Sequence, residues 1–507
     1  MGSSKLTHPA LAATVVSLMQ ACFFGHLANT AKIGVKQFLS KKAGKSLVPA
    51  VLALTVFSAQ TQYIASGCML FPTEEAINNH GTAIYYVSTA LGDNANSGTS
   101  MRAPLKTIEK ANEKLSAGDT CIVLPGVYDE RFYVDKSGQA GAPIVYMALG
   151  EVICRGFTVQ ADYIHIAGFE ITDTIDDDKD GTGLYLKGKF IEARDNDIHD
   201  VTRQGVLLDA DEADSPLTSD CVIRNNRISR AGHSGIWLHG RNHLIEKNDI
   251  SRILQHPPKW ENPPEWADAD GMVFLGSGHI IRKNHIHDIH ATDPENSNDP
   301  HIDIFQTPGG PAYDIIIEQN VASVPIYPGR CMQIAMISAS KGNVRNLIFR
   351  NNVFLNTCRG LNIWGHGNTI TGVVVANNTW VNFEDHAVEL HQVSGAKVVN
   401  NIFYNIARSY MFVADDSREG LSAEHNCIYN GGRSLPKDEK RLTDLWGVDP
   451  MFVDAAGNNF DLQPDSPMID AGIKLDEVVN DFRGTPRPQG RSHDIGAYEI
   501  LLHRPKP

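Results

Sequence analysis

The chain reads CVIRNNRISR from Cys221 to Arg230, HLIEKNDISR from His243 to Arg252 and HIIRKNHIHD from His279 to Asp288. One pattern underlies all three. β-Branched and other apolar residues precede an asparagine, and a turn follows it. The pattern extends both ways, through IEARDNDIHD (191–200), IIIEQNVASV (315–324), LIFRNNVFLN (347–356), GVVVANNTWVN (372–382), KVVNNIFYN (397–405) and HNCIYN (425–430). The aligned residues are Asn196, Asn226, Asn248, Asn284, Asn320, Asn352, Asn378, Asn401 and Asn426, so neighbours stand 22 to 36 residues apart. A repeat of this length signals a solenoid, in which each coil buries its apolar face against the next. Unequal steps mean insertions at a corner. An asparagine at every turn forms a ladder of side-chain amide hydrogen bonds, which satisfies buried polar groups at the bend. Its expected role is structural.

A second strand follows each asparagine turn: GVLLD (205–209), GIWLH (235–239), GMVFL (271–275), HIDIF (301–305), CMQIA (331–335), GLNIW (360–364) and AVELH (387–391). Alternation with period two turns Val206, Leu208, Ile236, Leu238, Met272, Phe274, Ile302, Ile304, Met332, Ile334, Leu361, Ile363, Val388 and Leu390 inward. The other positions form an outward face. In this alignment its first column is Gly205, Gly235, Gly271, His301, Cys331, Gly360 and Ala387, so His301 interrupts a row of small residues. Later columns hold Trp237, Asp303, Gln333, Asn362 and Glu389, then His239, Phe305, Trp364 and His391.

The sequence has 507 residues and a formal net charge of −14. That balance, with no basic stripe, argues against nucleic-acid binding. An acidic polysaccharide then needs local cations. At the start, Lys41, Lys42 and Lys45 precede an apolar run from Ser46 to Ala59, and ASGC ends at Cys68. These are the parts of a secretory signal. The ASGC string resembles the lipobox of bacterial lipoproteins. It implies a leader over residues 1–68, lipid on Cys68 and a surface-anchored protein, with translation starting near Val35 or Leu39. Cys121, Cys154 and Cys221 read as small core residues, and Cys331 with Cys358 as a candidate bridge.

Residues 83–150 contain YYVS, GD, GT, AP, GDT, VLPG and GAPI in an order that resembles the entry signature of bacterial right-handed parallel β-helix enzymes, family 9 polysaccharide lyases among them. The resemblance implies an all-β, right-handed parallel β-helix acting on a polysaccharide. The spacing of Ile108, Ala111 and Leu115 predicts a helix over Thr107–Leu115 that caps the first coil. Residues 151–431 are then the helix body. The stretch 446–499 resembles the choice-of-anchor Q module and is expected to cap the C-terminal end.

Chemistry is expected on the outward face. His301, Asp303, Asp270 and Arg330 supply a base, an acid and a cation for β-elimination on a uronate chain. The string Asp299–Pro300–His301 is similar to the DPH motif of alginate C-5 epimerases. The expected substrate-binding residues are Trp237, His239, Phe305, Gln333, Asn362, Trp364, Glu389 and His391. An inverting glycoside hydrolase using Asp270 and Asp303 as paired carboxylates is the alternative. A non-catalytic glycan-binding surface protein is a third. Asp176, Asp178 and Asp180 alternate before Gly181 and suggest a Ca²⁺ loop, although Lys187 stands where a closing Glu belongs. A monomer is expected.

Overall fold

A computed structural model describes residues 82–175, 178–254, 269–289, 302–324, 332–431 and 443–501. Cys68, His301, Arg330 and Asp176 lie outside the described residues, as does the side chain of Asp178. Among the described residues, no helix is long and apolar enough to cross a membrane.

Each coil runs through three sheets. In one coil Val222–Arg224 belongs to sheet I, Arg227–Ala231 to sheet II and Ser234–Leu238 to sheet III, before Leu244–Glu246 re-enters sheet I. Successive coils pair in parallel, giving sheets of 16, 13 and 11 strands. This is a parallel β-helix, as the repeat predicts. Side chains alternate in and out along each strand. The inward rows Ile223, Ile228 and Ile236 are fully buried, and they continue up the stack as Ile245, Ile250 and Met272.

The corner between sheets I and II explains the repeat. The residue before each ladder asparagine takes positive φ, as in Asp195, Asn225, Lys247, Lys283, Gln319, Asn351, Asn377, Asn400 and His425. That left-handed residue turns the chain sharply, and the next side chain falls inside the bend. Asn248 shows the result. Its Nδ2 donates to Asn284 Oδ1 at 3.0 Å and to the Ile223 carbonyl at 2.9 Å, and its backbone N–H donates to the same Oδ1 at 3.0 Å. The arrangement recurs from Asn196 to Asn426, where Asp444 Oδ1 accepts the last amide at 3.3 Å. Four residues after most ladder positions a second left-handed residue, such as Asp200, Arg230 or Asn356, turns sheet II toward sheet III.

Histidines form a shorter ladder at the bend entering sheet I. His243 and His279 stack at 5.0 Å, and the His243 N–H donates to His279 Nδ1 at 3.2 Å. Both rings are fully buried, and burial pushes His279 down to about 4 and His243 well below its ordinary value.

The cap helix is Ile108–Lys114, with the Thr107 hydroxyl accepting from the Lys110 N–H. It packs on the first strands, as expected. The C-terminal segment starts at the end of the stack, where Leu445–Trp446 pairs with Cys427–Tyr429 of the last coil. It lies along the flank of the last coils. Phe452, Phe460, Leu462 and Met468 pack on Val353, Val381 and Ile402 of sheet II. The left-handed corner residues hold it. Asn351 donates to the Asn480 carbonyl at 2.6 Å, Asn377 to that of Asp494 at 2.9 Å and Asn400 to that of Ile473 at 2.8 Å. Cys121, Cys154 and Cys221 are buried free thiols, pushed to about 12 by that burial. Cys358 is disulfide-bonded, and Cys331 is outside the described residues.

Two stability predictions follow from these ladders. Asn320→Ala strands amide partners on both sides and should cost about 1–3 kcal/mol, read by urea unfolding; an unchanged midpoint would refute the load assigned to the ladder. For His279 the unfolded ring binds a proton below about pH 6.5, whereas the folded ring waits until about 4. Stability present above pH 6.5 is therefore lost as the pH falls toward 4, by about 2 kcal/mol at pH 5 from this ring. His279→Gln should lose less stability than the wild type between pH 7 and pH 5.

Candidate active site

Sheet III carries a polar column at the start of its strands. Ser234 pairs with Asp270, Asp303 with Gln333, Gln333 with Arg359 and His386 with Ser409. Between the first two pairs, the Asp303 N–H donates to Asp270 Oδ1 at 3.1 Å. Asp270 and Asp303 thus sit side by side on adjacent coils, and both are fully buried. Gln306 Nε2 donates to Asp303 Oδ2 at 3.3 Å, and Asn362 Nδ2 to Gln333 Oε1 at 3.4 Å.

The chain concentrates its insertions at this edge. Three successive coils carry extra residues between sheet II and sheet III, at 255–268, 290–301 and 325–331. Their strands begin within the polar column, at Asp270, Asp303 and Gln333. The neighbouring coil without an insertion passes from Ala231 to Ser234 directly.

The observed register corrects the sequence alignment in two coils. Met272 pairs with Phe305, and Met336 pairs with Asn362. The strands of Asp303 and Gln333 therefore lie three residues away from their expected alignment with the flanking coils. Ile304 and Ile334 fill the small-residue row next to Gly271 and Gly360. The row that made His301 exceptional does not contain its position. Steric necessity explains the glycines. A Cβ on Gly271 would meet the Ile304 carbonyl oxygen at 2.7 Å and Ile286 Cγ2 at 2.8 Å. Phe305 is corrected too. It points into the core, fully buried, and offers no outward platform.

The outward middle column is Leu207, Trp237, Val273, Gln306, Met336, Asn362 and Glu389. Trp237 Nε1 donates to His239 Nε2 at 3.0 Å, and His239 Nδ1 lies 3.7 Å from Asp209. Burial opposes ionisation of Asp209, but His239 and the Tyr185 hydroxyl outweigh it and hold that carboxyl below the usual range. Beside Trp237, His233 is buried, and burial pushes its imidazole down to about 4.

A second cluster lies at the upper end of the face. Arg359 binds Asp385 at 2.9 Å and approaches Glu389 at 3.5 Å, Arg408 binds Asp385 at 2.9 Å, and His391 binds Glu389 at 2.8 Å. Burial works against the Asp385 charge, but the two guanidinium groups keep its carboxyl below the ordinary range. Trp364 stacks on His391 at 5.0 Å and on His366 at 4.8 Å, and Phe412 lies 5.4 Å from His391. Trp364 and Phe412 are each 40% exposed, so an aromatic strip faces solvent beside the charged groups. The sequence reading missed Arg359, Asp385, His386 and Arg408. For Arg359 and His386 the signal was the polar residue just before the small-residue slot, the row that also contains Asp270 and Ser234; Asp385 and Arg408 stand one position earlier.

Asp180 is held by side chains of the first coils. Tyr133 donates to Oδ2 at 2.7 Å, Thr158 donates to Oδ1 at 3.3 Å, and Arg131 lies 3.2 Å from Oδ1. Arg131 already supplies the positive charge that a calcium ion would bring to this side chain.

Comparison with known proteins agrees with this architecture. A family model described as right handed beta helix region matches residues 182–373. The chain is a right-handed parallel β-helix. It is 25% identical over 474 residues to the uncharacterized protein YwoF of Bacillus subtilis, covering 77% of this chain and 93% of that protein. It is 32% identical over 247 residues to a lacto-N-biosidase of Bifidobacterium longum, covering 42% of this chain and 15% of the relative. The structure of XylC in complex with xylose superposes with a TM-score of 0.54 at 13% identity, over 82% of this chain and 98% of that one. Pectate, rhamnogalacturonan and alginate lyases are also among the structural neighbours, with TM-scores of 0.48 and below. At these identities the structural likeness shows the β-helix fold.

The upper cluster gives a graded prediction. Asp385→Ala removes the shared partner of two guanidinium groups, one of which keeps Glu389, and should cost about 1.5–3 kcal/mol in urea unfolding. Arg408→Ala removes a side chain that is 60% exposed and should cost less than about 1 kcal/mol. Equal costs would contradict the assignment of Asp385 as the hub.

Proposed function

We propose that this protein is an exported glycoside hydrolase whose centre is the Asp270–Asp303 pair. The observation that carries this reading is the contact between the two aspartates, at the edge where three consecutive coils bear insertions. Glycoside hydrolysis uses two carboxylates that flank the scissile bond. One acts as an acid toward the leaving oxygen, and the other acts as a nucleophile or activates water. The sequence likeness to a lacto-N-biosidase supports the same class. Equivalent positions on adjacent coils are about 4.8 Å apart. The separation of the two carboxyl groups in the working enzyme sets the stereochemical course, roughly 5–5.5 Å for retention and roughly 6.5–9.5 Å for the inversion expected from sequence. The glycan would extend along the stack, with Trp364 and Phe412 as platforms for the apolar faces of sugar rings.

Elimination on a uronate is the second reading, favoured by the lyase-like entry signature. Arg359 and Arg408 are already held by carboxylates, so the neutralising cation in this reading is Arg330 or calcium, with His301 as base. Export and anchoring through Cys68 belong to both readings. The Cys358 disulfide fits an oxidising compartment.

A panel of neutral and uronate oligosaccharides separates the readings. Hydrolysis releases reducing ends without absorbance at about 232 nm, and elimination produces that absorbance. On the responding substrate, Asp270→Asn and Asp303→Asn should each lower turnover by about two to four orders of magnitude. Asp270→Asn keeps an oxygen acceptor for the Asp303 N–H, so it should fold. Near-wild-type turnover in both variants would overturn the paired-aspartate centre. An unsaturated product abolished by His301→Ala would establish the lyase instead.

A further inference from the structure

The outer face of sheet II carries a cluster that the proposed chemistry does not use. We infer that Asp249, His285 and His287 form a binding site for a borderline transition-metal ion such as Zn²⁺. The residues come from two adjacent strands, Asp249–Ser251 and His285–His287. Asp249 is paired in register with His285, and Ser251 with His287. Both histidines therefore leave the same face of one strand, directly above the carboxylate.

The distances suit a shared ion. Asp249 Oδ2 is 3.1 Å from His285 Nδ1, and Asp249 Oδ1 is 3.4 Å from His287 Nε2. One donor atom from each residue can be chosen so that all three lie within 4.8 Å of one another. A tetrahedral ion with bonds of about 2.0–2.1 Å places its ligands about 3.3 Å apart, so small side-chain adjustments close the set. Two imidazoles and one carboxylate are the donors that suit Zn²⁺ and its neighbours, whereas Ca²⁺ prefers oxygen throughout. The fourth position faces water, because the Asp249 and His285 side chains are 47% and 51% exposed.

A second observation points the same way. Asp288 Oδ2 lies 2.8 Å from His287 Nδ1. A carboxylate on that nitrogen fixes the ring so that the Nε2 lone pair is turned toward the cluster, as outer partners of metal-bound histidines do. The His285 and His287 rings also stack at 4.1 Å, 22° from parallel. Elsewhere in these columns the face is occupied differently. Arg227 pairs with Asp197, and Ser229 and Ser251 occupy the His287 row in the two coils below.

Isothermal titration of the full chain with ZnCl₂ tests this site. The expected result is a saturable single equivalent that persists in excess CaCl₂. His285→Ala and His287→Ala, both on an open strand face, should abolish it without changing the unfolding midpoint. Asp288→Asn should weaken it by about 10–100-fold, through loss of ring orientation. Cobalt(II) loading should give the visible bands of a tetrahedral centre in the wild type only. The inference fails if the wild type takes up no zinc, if its isotherm superimposes on those of both histidine variants, or if calcium displaces the zinc. The Asp270→Asn variant should bind zinc normally, which separates this site from the catalytic reading.

Discussion

The side-chain amide ladder at the corner between sheets I and II is the constraint on which the rest of the molecule depends. A coil that bends sharply buries backbone groups that no sheet can pair. Asparagine has a donor and an acceptor on one short side chain, so it can serve the coil below and the coil above at once. From Asn226 to Asn426 each Oδ1 takes two N–H groups of the preceding rung, and each Nδ2 serves a carbonyl as well. The corner thereby fixes the axial register of every coil. Insertions fall away from this corner: three lie at the bend before sheet III, and another long connection, 209–221, joins sheet III to sheet I.

That distribution explains what the sequence disclosed and what it concealed. The ladder was legible because its requirement is chemical and local: one residue type, one position, preceded by β-branched residues. The core rows were legible for a similar reason, since alternation alone places Val206, Ile236 and Leu361 inside. Register on sheet III was not. The strands containing Asp303 and Gln333 follow insertions of unequal length, and alternating apolar residues accept more than one alignment. The chain settled three residues away from the expected one, and only there. Phe305 went into the core as a result, and the small-residue row received Ile304 and Ile334. The three-residue shift also moved Asp303 out of the Trp237 column and into the row of Asp270, so the aspartate pair belongs to the observed register.

The three faces of the helix carry different loads. The Asn corner with its flanks holds the C-terminal segment, through Asn351, Asn377 and Asn400 and through apolar contacts with Phe452 and Phe460. Sheet III bears the buried aspartates, the Arg359–Asp385 network and the aromatic strip. The lower part of sheet II is free of the C-terminal segment and carries the imidazole cluster. None of these assignments could be read from a single coil. Each depends on residues 22 to 36 positions apart being stacked in register.

Stacking also decides how the face can do chemistry. A parallel β-helix places like positions of successive coils next to one another, so two carboxylates in one row are forced together whether or not their charges agree. Burial raises the cost of that proximity, because less water is left to screen them. A row made only for stability would avoid the juxtaposition, as most of this row does: Ser234, Gln333 and Ser409 are neutral, and Arg359 is matched by Asp385 and Glu389. Two adjacent buried acids stand at the edge where the chain has added three successive insertions. Glycoside cleavage by a carboxylate pair requires one group to carry a proton to the leaving oxygen while the other stays ionised, and the repeat brings two such groups together without any special loop to create the proximity.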